Sequence, residues 1–389
     1  MKKIAIVTTK LNLGGCEKAL FAMLNLVDLT KYEVTIYLKE KGGKLYNYVP
    51  NGVNVICIEE GEMSFKQLVL KRIEQKNIIK AIITVYYLFL MRFSKNRNKQ
   101  MYYHSKALSD IAVKYDLAIS YFMPPSFTDW YTLNHIQATK KAIWIHSDVK
   151  NITGIHNKIH EKMYFSYDKI FCVGKDLLNN FIECFPSCKD KVEVFYNIIN
   201  KYEIINKTCE RPGFIDVFDG IRILTVGRLS YEKGQLLIPD ILVNLKRLCL
   251  NIRWYCIGDG MLYSKLVEEI RLKELESNLI LMGTIQNPYP YMKNCDIYVQ
   301  TSEYEGYCTT VTEAKCFNKP IVVTDVVGTR EQICEGKTGF IVNGSVSELS
   351  NAIETIIRNK EIAEKFEENL MKENINTTSE ITKLYEMID

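Results

Sequence analysis

The sequence predicts an α/β protein built as two doubly wound, Rossmann-like domains. Three observations lead there. Short β-branched apolar runs alternate with helical stretches along the chain. Glycines stand at the ends of several runs, as at Gly227, Gly258 and Gly283. A length of 389 residues exceeds one ordinary core and suits two domains. Parallel strands covered by helices on both faces give this alternation. Such sheets bind ligands at the carboxyl ends of their strands.

The first half supplies one domain, expected over residues 1–198. Residues 4–8 read as its first strand. The turn LNLGG follows and opens a helix over 16–28, where Gly14 and Gly15 allow backbone to approach a ligand closely. Residues 33–38 and 53–58 read as strands. So do 116–120, ending in YFMPPS, and 141–145, ending in His146-Ser147-Asp148. Residues 170–173 and 192–195 complete the set. The stretch 197–220, with Pro212-Gly213 and mixed polarity, reads as the interdomain linker.

The second domain is expected over 199–372. Residues 221–226 form a strand followed by GRLSYEKG, where Arg228 and Lys233 flank a turn ahead of a helix. Two cations there suit a diphosphate, since Arg forks onto two oxygens and Lys supplies a mobile charge, with a pair of solvated surface cations as the plainer alternative. Residues 252–257 end in Gly258-Asp259-Gly260, and 279–282 in GTIQNPYPY. The most informative stretch is QTSEYEGYCTTVTEAKCFNKP, 300–320. A buried strand precedes it, and a helix over 309–317 is expected within it, opened by two hydroxyl residues suited to capping. Glu305 falls in the turn and Glu313 about one turn into the helix. Free amides around Gly306, Cys308, Thr309 and Thr310 favour an anion. A phosphate-binding helix end flanked by two acids that grip hydroxyls suits a nucleotide sugar. Two solvated surface acids are the plainer alternative.

The order GRLSYEKG, GDG, GTIQNPYPY, EYEGYCTTVTEA and VVGTREQI resembles the retaining GT-B glycosyltransferases of family 4. The N-terminal TTKLNLGGCEKAL resembles that family's first strand-to-helix turn. The likeness runs from residue 3 to about 342. It implies two Rossmann-like domains facing across a cleft, and transfer of a hexosyl group with retained configuration. By the same resemblance Arg228 and Lys233 neutralise the leaving diphosphate, Glu313 holds the ribose and Glu305 holds the transferred sugar. His146 faces that sugar, and the segment ending at Tyr291 lines a base pocket, most often for uracil. The family needs no metal, so the donor is a co-substrate and no cofactor is expected. Where relatives carry Gly, Pro or another small residue, this chain has Cys308. The C-terminal stretch, about 373–389, is a helix candidate that in the family packs back on the first domain. A nucleotide-sugar epimerase of the same fold, or a catalytically silent partner subunit, remains the alternative.

Charge is distributed unevenly. Residues 1–200 hold 28 Lys and Arg against 18 Asp and Glu, within a whole chain of net charge +4. Between residues 66 and 106 stand Lys66, Lys71, Arg72, Lys76, Lys80, Arg92, Lys95, Arg97, Lys99 and Lys106 against Glu74 alone. The apolar run within them, 81–91, is shorter than the roughly 20 residues a bilayer crossing needs. It suits a basic amphipathic element on an anionic membrane surface, with a buried helix whose neighbours carry solvated lysines as the alternative. That surface, with the resemblance, points to a polyprenyl-diphosphate-linked or other saccharide acceptor and to capsule or exopolysaccharide assembly. The expected place is the cytoplasmic side, peripheral at the inner face of the plasma membrane. No nucleic-acid module is present, and no secretory signal opens the chain. The 12 cysteines lack CxxC pairs, so reduced thiols are expected. His156 and His160 stand four apart without a third ligand, which gives no metal site. His104 and His135 read as solvated.

Overall fold

The protein was analysed as a computed structural model that describes residues 1–58, 65–74, 76–108, 111–152 and 158–389. It divides into two compact units, one of residues 1–197 with 379–389 and one of residues 198–378.

Among the described residues, the first unit carries a seven-stranded sheet. Its strands are β1 (Lys2–Thr8), β2 (Tyr32–Leu38), β3 (Asn54–Cys57), β4 (Lys114–Ser120), β5 (Gln137–Ile145), β6 (Lys169–Cys172) and β7 (Val192–Val194). The order is β3-β2-β1-β4-β5-β6-β7, and every neighbouring pair is parallel. Ile4, Ala5, Ile6 and Val7 are buried in succession, which requires cover on both faces of β1. The helices of this unit include α1 (Gly15–Leu24), α2 (Phe65–Glu74), α3 (Ile78–Phe93), α4 (Arg97–Ala107), α5 (Phe127–His135), α6 (Lys158–Phe165) and α7 (Lys175–Cys184). The helix after the first strand ends at Leu24, four residues short of the expected 28, because the chain turns through Asn25–Asp28 to reach β2.

The second unit holds a six-stranded parallel sheet in the order β10-β9-β8-β11-β12-β13. Its strands are β8 (Ile221–Val226), β9 (Ile252–Ile257), β10 (Leu279–Leu281), β11 (Ile297–Gln300), β12 (Ile321–Thr324) and β13 (Gly339–Val342). Its helices are α8 (Lys201–Asn206), α9 (Ile238–Arg247), α10 (Tyr263–Leu272), α11 (Tyr289–Asn294), α12 (Thr309–Lys315), α13 (Thr329–Gln332), α14 (Val346–Arg358) and α15 (Lys360–Lys372). Thr225 ties the centre together: its hydroxyl donates to the Val299 carbonyl at 2.6 Å and accepts from Trp254 Nε1 at 3.0 Å. The fully buried indole is thereby satisfied. The expected linker is not a bare connector. It contains α8, and Ile199 and Ile204 pack with Cys316 and Ile375 into a core of this unit.

The C-terminal stretch does hold a helix, shorter than the expected 373–389. Helix α15 ends at Lys372, and α16 (Ile381–Ile388) begins after a loop and a short 3-10 turn. Helix α16 is part of the first unit. Tyr385 stacks on Tyr32 with ring centroids 5.0 Å apart. Its hydroxyl accepts from the Asp28 amide and donates to the Leu26 carbonyl, both at 3.1 Å.

Candidate functional site

In the second sheet the chain order reverses between β8 and β11, which are neighbours although β9 and β10 separate them in sequence. Ligands of open α/β sheets bind beyond the carboxyl ends of the strands at such a switch point. The loops leaving β8 and β11 carry Arg228, Lys233, Glu305 and the start of α12.

Glycines let these loops pack on one another. Gly234 adopts φ +64, and a Cβ there would lie 1.9 Å from the Thr301 carbonyl oxygen. Thr301 Oγ1 in turn donates to the Lys233 carbonyl at 2.9 Å. The loop after β8 is thus seated directly on the loop after β11. Lys233 Nζ meets Glu305 Oε1 at 2.5 Å. The same carboxylate oxygen accepts from Ser302 Oγ at 2.6 Å, and Ser302 Oγ accepts from Gln300 Nε2 at 2.9 Å. Tyr298 donates to Gln300 Oε1 at 3.0 Å. A buried chain of hydrogen bonds therefore runs from β11 to Lys233 and fixes its ammonium. Burial opposes the charge on Lys233, but the Glu305 carboxylate outweighs it and holds the lysine pKa above its ordinary value.

The two cations of GRLSYEKG part company. Arg228 is exposed, and its carbonyl accepts from Gln235 Nε2 at 2.8 Å and from Ser230 Oγ at 3.5 Å. Lys233 does not stand at a helix N-terminus. It closes one 3-10 turn (Tyr231–Lys233), and a second (Gln235–Leu237) intervenes before α9. The αL residue Gly234 separates them and prevents a continuous helix.

Helix α12 has Cys308 as its N-cap, with no side-chain capping bond. Thr309 and Thr310 therefore do not cap; they are the first two helical residues. Gln332 of α13 secures this end, donating to the Cys308 carbonyl at 2.8 Å and to Thr312 Oγ1 at 2.7 Å. Cys308 is buried, and burial pushes its thiol up to about 12, so it is no nucleophile at neutral pH. Gly306 passes under Gly328, where a Cβ would come within 2.8 Å of the Gly306 carbonyl oxygen.

Glu313 is buried. Tyr289 donates to its Oε1 at 3.2 Å, while its Oε2 has no protein partner among the described residues. A buried carboxylate oxygen without a donor calls for a hydrogen-bond donor from outside the protein. Tyr291, expected in the base pocket, lies instead in the core. Its hydroxyl accepts from Arg211 Nη2 at 3.0 Å and its ring packs edge-on to Phe214 at 5.1 Å. Sequence reasoning missed Tyr289, two residues earlier, together with Ser302, Gln300 and Gln332. The repeated YPY gave no means of telling which tyrosine faces α12.

The remaining predicted residues sit in the first unit. Gly14 is the N-cap of α1 with φ −118 and ψ 170, an extended conformation open to any residue. Gly15 is the first residue of that helix. His146 follows β5 and packs against Tyr121 with centroids 4.7 Å apart and the rings tilted by 60°. Burial pulls its pKa down to about 3, and its Nε2 lacks a protein partner among the described residues. The imidazole is therefore neutral at physiological pH. His135 is not solvated: it is buried, with Nε2 at 2.7 Å from the Ser105 carbonyl. His104 is half-buried against Phe127 at 5.1 Å. His156 lies outside the described residues.

Comparison with known proteins fits this geometry. Residues 218–373 match the family model described as glycosyl transferases group 1. That segment belongs to the group 1 glycosyl transferases. The first unit lies outside the match. An uncharacterized glycosyltransferase of Methanocaldococcus jannaschii is 29% identical over 206 residues, covering 50% of this chain and 51% of the relative. The Campylobacter jejuni N-acetylgalactosamine-N,N'-diacetylbacillosaminyl-diphospho-undecaprenol 4-alpha-N-acetylgalactosaminyltransferase is 29% identical over 194 residues, covering 49% and 51%. The chain thus spans about half the length of these curated relatives. Among solved structures, Anabaena HepE in complex with UDP and glucose aligns with a TM-score of 0.72 at 16% identity, over 99% of both chains. A Staphylococcus aureus TarM mutant, in complex with UDP among other ligands, gives 0.70 at 15% over 100% of both. The two sheets have the Rossmann-like folds of the GT-B glycosyltransferases. Lys233, Glu305, Cys308 and Glu313 all fall inside the group 1 glycosyl transferase segment.

Proposed function

We propose that the protein is a retaining glycosyltransferase that moves a hexosyl group from a UDP-sugar to a saccharide acceptor carried on a polyprenyl diphosphate. The observation that carries this reading is the Glu313 carboxylate, buried with one oxygen held by Tyr289 and the other open, on the switch-point helix of a sheet that also presents Lys233 and Glu305. Glu313 would accept from the ribose hydroxyls. Lys233 and the exposed Arg228 would meet the diphosphate, with amides of Cys308, Thr309 and Thr310 assisting beside Gly306, and the charge developing on the leaving group would be stabilised there. Glu305 would hold hydroxyls of the transferred sugar. The acceptor hydroxyl would attack the anomeric carbon as its bond to the β-phosphate oxygen breaks. The departing diphosphate would take the acceptor's proton, and no protein nucleophile is assigned. No metal is invoked, because the chain's own cations face the diphosphate. His146 would contribute as a neutral hydrogen-bonding group. Names of relatives support the setting: one makes capsular polysaccharide in Staphylococcus aureus, another amylovoran in Erwinia amylovora.

Calorimetry with UDP tests the site. Glu313→Gln should weaken UDP at least about tenfold, the loss of one charge-assisted hydrogen-bond pair. Glu305→Gln should spare UDP and slow sugar transfer. No UDP binding by the parent, or equal loss in both variants, would overturn the assignment.

The same reading places the enzyme against an anionic membrane, at its cytoplasmic face. Among the described residues no helix is long and apolar enough to cross a membrane. Helix α3 nevertheless turns Ile78, Ile79, Ile82, Tyr86, Phe89 and Phe93 outward, each 57–74% exposed. Only Ala81 and Thr84 of this helix are buried. Lys76, Lys80, Arg92, Lys95 and Lys99 are exposed around it. Arg72 is different. It is buried, and its Nη1 donates to the Lys80 carbonyl at 3.0 Å, binding α2 to α3. The side chains of Lys66 and Lys71 lie outside the described residues. Ile79→Ser with Ile82→Ser should release the protein from phosphatidylglycerol vesicles, and salt should weaken the parent's binding. Undiminished vesicle binding by the double variant would remove α3 as the contact.

A further inference from the structure

The first unit contains a cavity of about 1610 Å³ that the donor site leaves unexplained. It lies where the first sheet reverses order, between β1 and β4. Thr9 after β1, Lys39 after β2, the Phe122–Phe127 loop after β4 and Ser147 after β5 line it. Helices α2, α3 and α4, which bridge β3 to β4, form its outer wall. The volume exceeds the roughly 300–1,000 Å³ of ordinary small-molecule pockets.

Its lining has two characters. Lys39, Arg92 and Arg97 bring three positive charges, and no acidic residue lines the cavity among the described residues, although the Glu40 carboxylate stands 3.8 Å from Lys39 Nζ. Lys39 is positioned over the Phe127 ring, 5.5 Å from its centroid. Most of the remaining wall is apolar: Val85, Leu88, Phe89, Met91, Met101 and Met123. The three methionines give a deformable surface suited to a flexible chain. Phe89 belongs at once to this wall and to the exposed stripe on α3. The apolar wall is therefore continuous with the helix's outer face. A site of net positive charge that opens along an exposed apolar track has the chemistry of an anionic head joined to a long hydrocarbon.

We propose that this cavity seats the diphosphate and first isoprene units of a polyisoprenyl diphosphate, with the head on Lys39, Arg92 and Arg97 and the chain leaving past Phe89 along α3. This rests on the glycosyltransferase reading and adds to it where the lipid of the acceptor is held. Farnesyl diphosphate is the probe, with inorganic diphosphate, farnesol and phosphatidylglycerol vesicles as the other arms. Farnesyl diphosphate should bind the parent at least about tenfold more tightly than inorganic diphosphate or farnesol. Arg92→Gln with Arg97→Gln should weaken it at least about tenfold. Phe89→Ser should weaken farnesyl diphosphate while leaving inorganic diphosphate unchanged. UDP affinity should hold in all variants, which reports that they are folded. Equal binding of farnesyl and inorganic diphosphate, or indifference of both variants, would overturn the proposal. So would full competition by phosphatidylglycerol, which would assign the cavity to bulk lipid. Loss of UDP binding by the parent with farnesyl diphosphate binding intact would sink the donor assignment and leave this seat standing.

Discussion

Lys233→Ala should reduce both stability and turnover. The variant leaves Glu305 in a largely buried position without its cation, since the carboxylate side chain is only 9% exposed. Breaking a fully buried pair costs roughly 3–5 kcal/mol. Lys233 keeps 24% of its side chain in water, so about 2 kcal/mol is the fitting expectation after screening. Ser302 remains to donate to the stranded carboxylate and softens the loss further. Turnover should fall roughly 10²-fold or more, because the leaving diphosphate loses a fixed charge. Denaturant melts and initial rates at saturating UDP-sugar separate the two effects. Adding Glu305→Gln to the variant should recover part of the stability and none of the rate. A folded Lys233→Ala protein with near-normal turnover would remove Lys233 from the chemistry.

Gly234→Ala should be strongly destabilising for so small a substitution. Its φ of +64 alone costs an L-residue about 1–2 kcal/mol. The added Cβ also meets backbone, the Thr301 carbonyl oxygen at 1.9 Å, and backbone cannot swing aside as a side chain would. A total of about 3 kcal/mol or more is expected. That is roughly 6–12 °C in melting temperature for a unit of this size. Gly336 provides the control. It has φ +67 with nothing within 4 Å of a built Cβ, so Gly336→Ala should lose only the backbone term, about 1–2 kcal/mol. Calorimetric scans of both variants make the comparison. Equal small shifts would mean that the loop after β8 yields, and that Thr301 does not fix Lys233.

Strand positions and the alternation of strand and helix were legible in the chain because they are local. A parallel strand buried on both faces must be a short, continuous apolar run, as residues 221–226 and 252–257 are, and the structure places β8 and β9 on those residues. Glycines at strand ends were visible too, and so were Lys233, Glu305 and Glu313 as candidates, because the motifs carrying them are contiguous. The excess of cations between residues 66 and 106 was a matter of counting. What each side chain touches was decided only by tertiary structure. Lys233 and Glu305 are 72 residues apart and meet because β8 and β11 are sheet neighbours. Tyr289 and Tyr291 are two residues apart on a helix of 3.6 residues per turn, so they face different ways. Docking of α11 sent one to Glu313 and the other into the core, where its hydroxyl accepts from the exposed Arg211. Arg72 and Lys80 look alike in sequence, yet the packing of α2 on α3 buries the first and exposes the second. Sequence specifies which groups are available; the pairing of distant strands and helices sets which of them are desolvated, and desolvation gives a charge or an open carboxylate oxygen its chemical force.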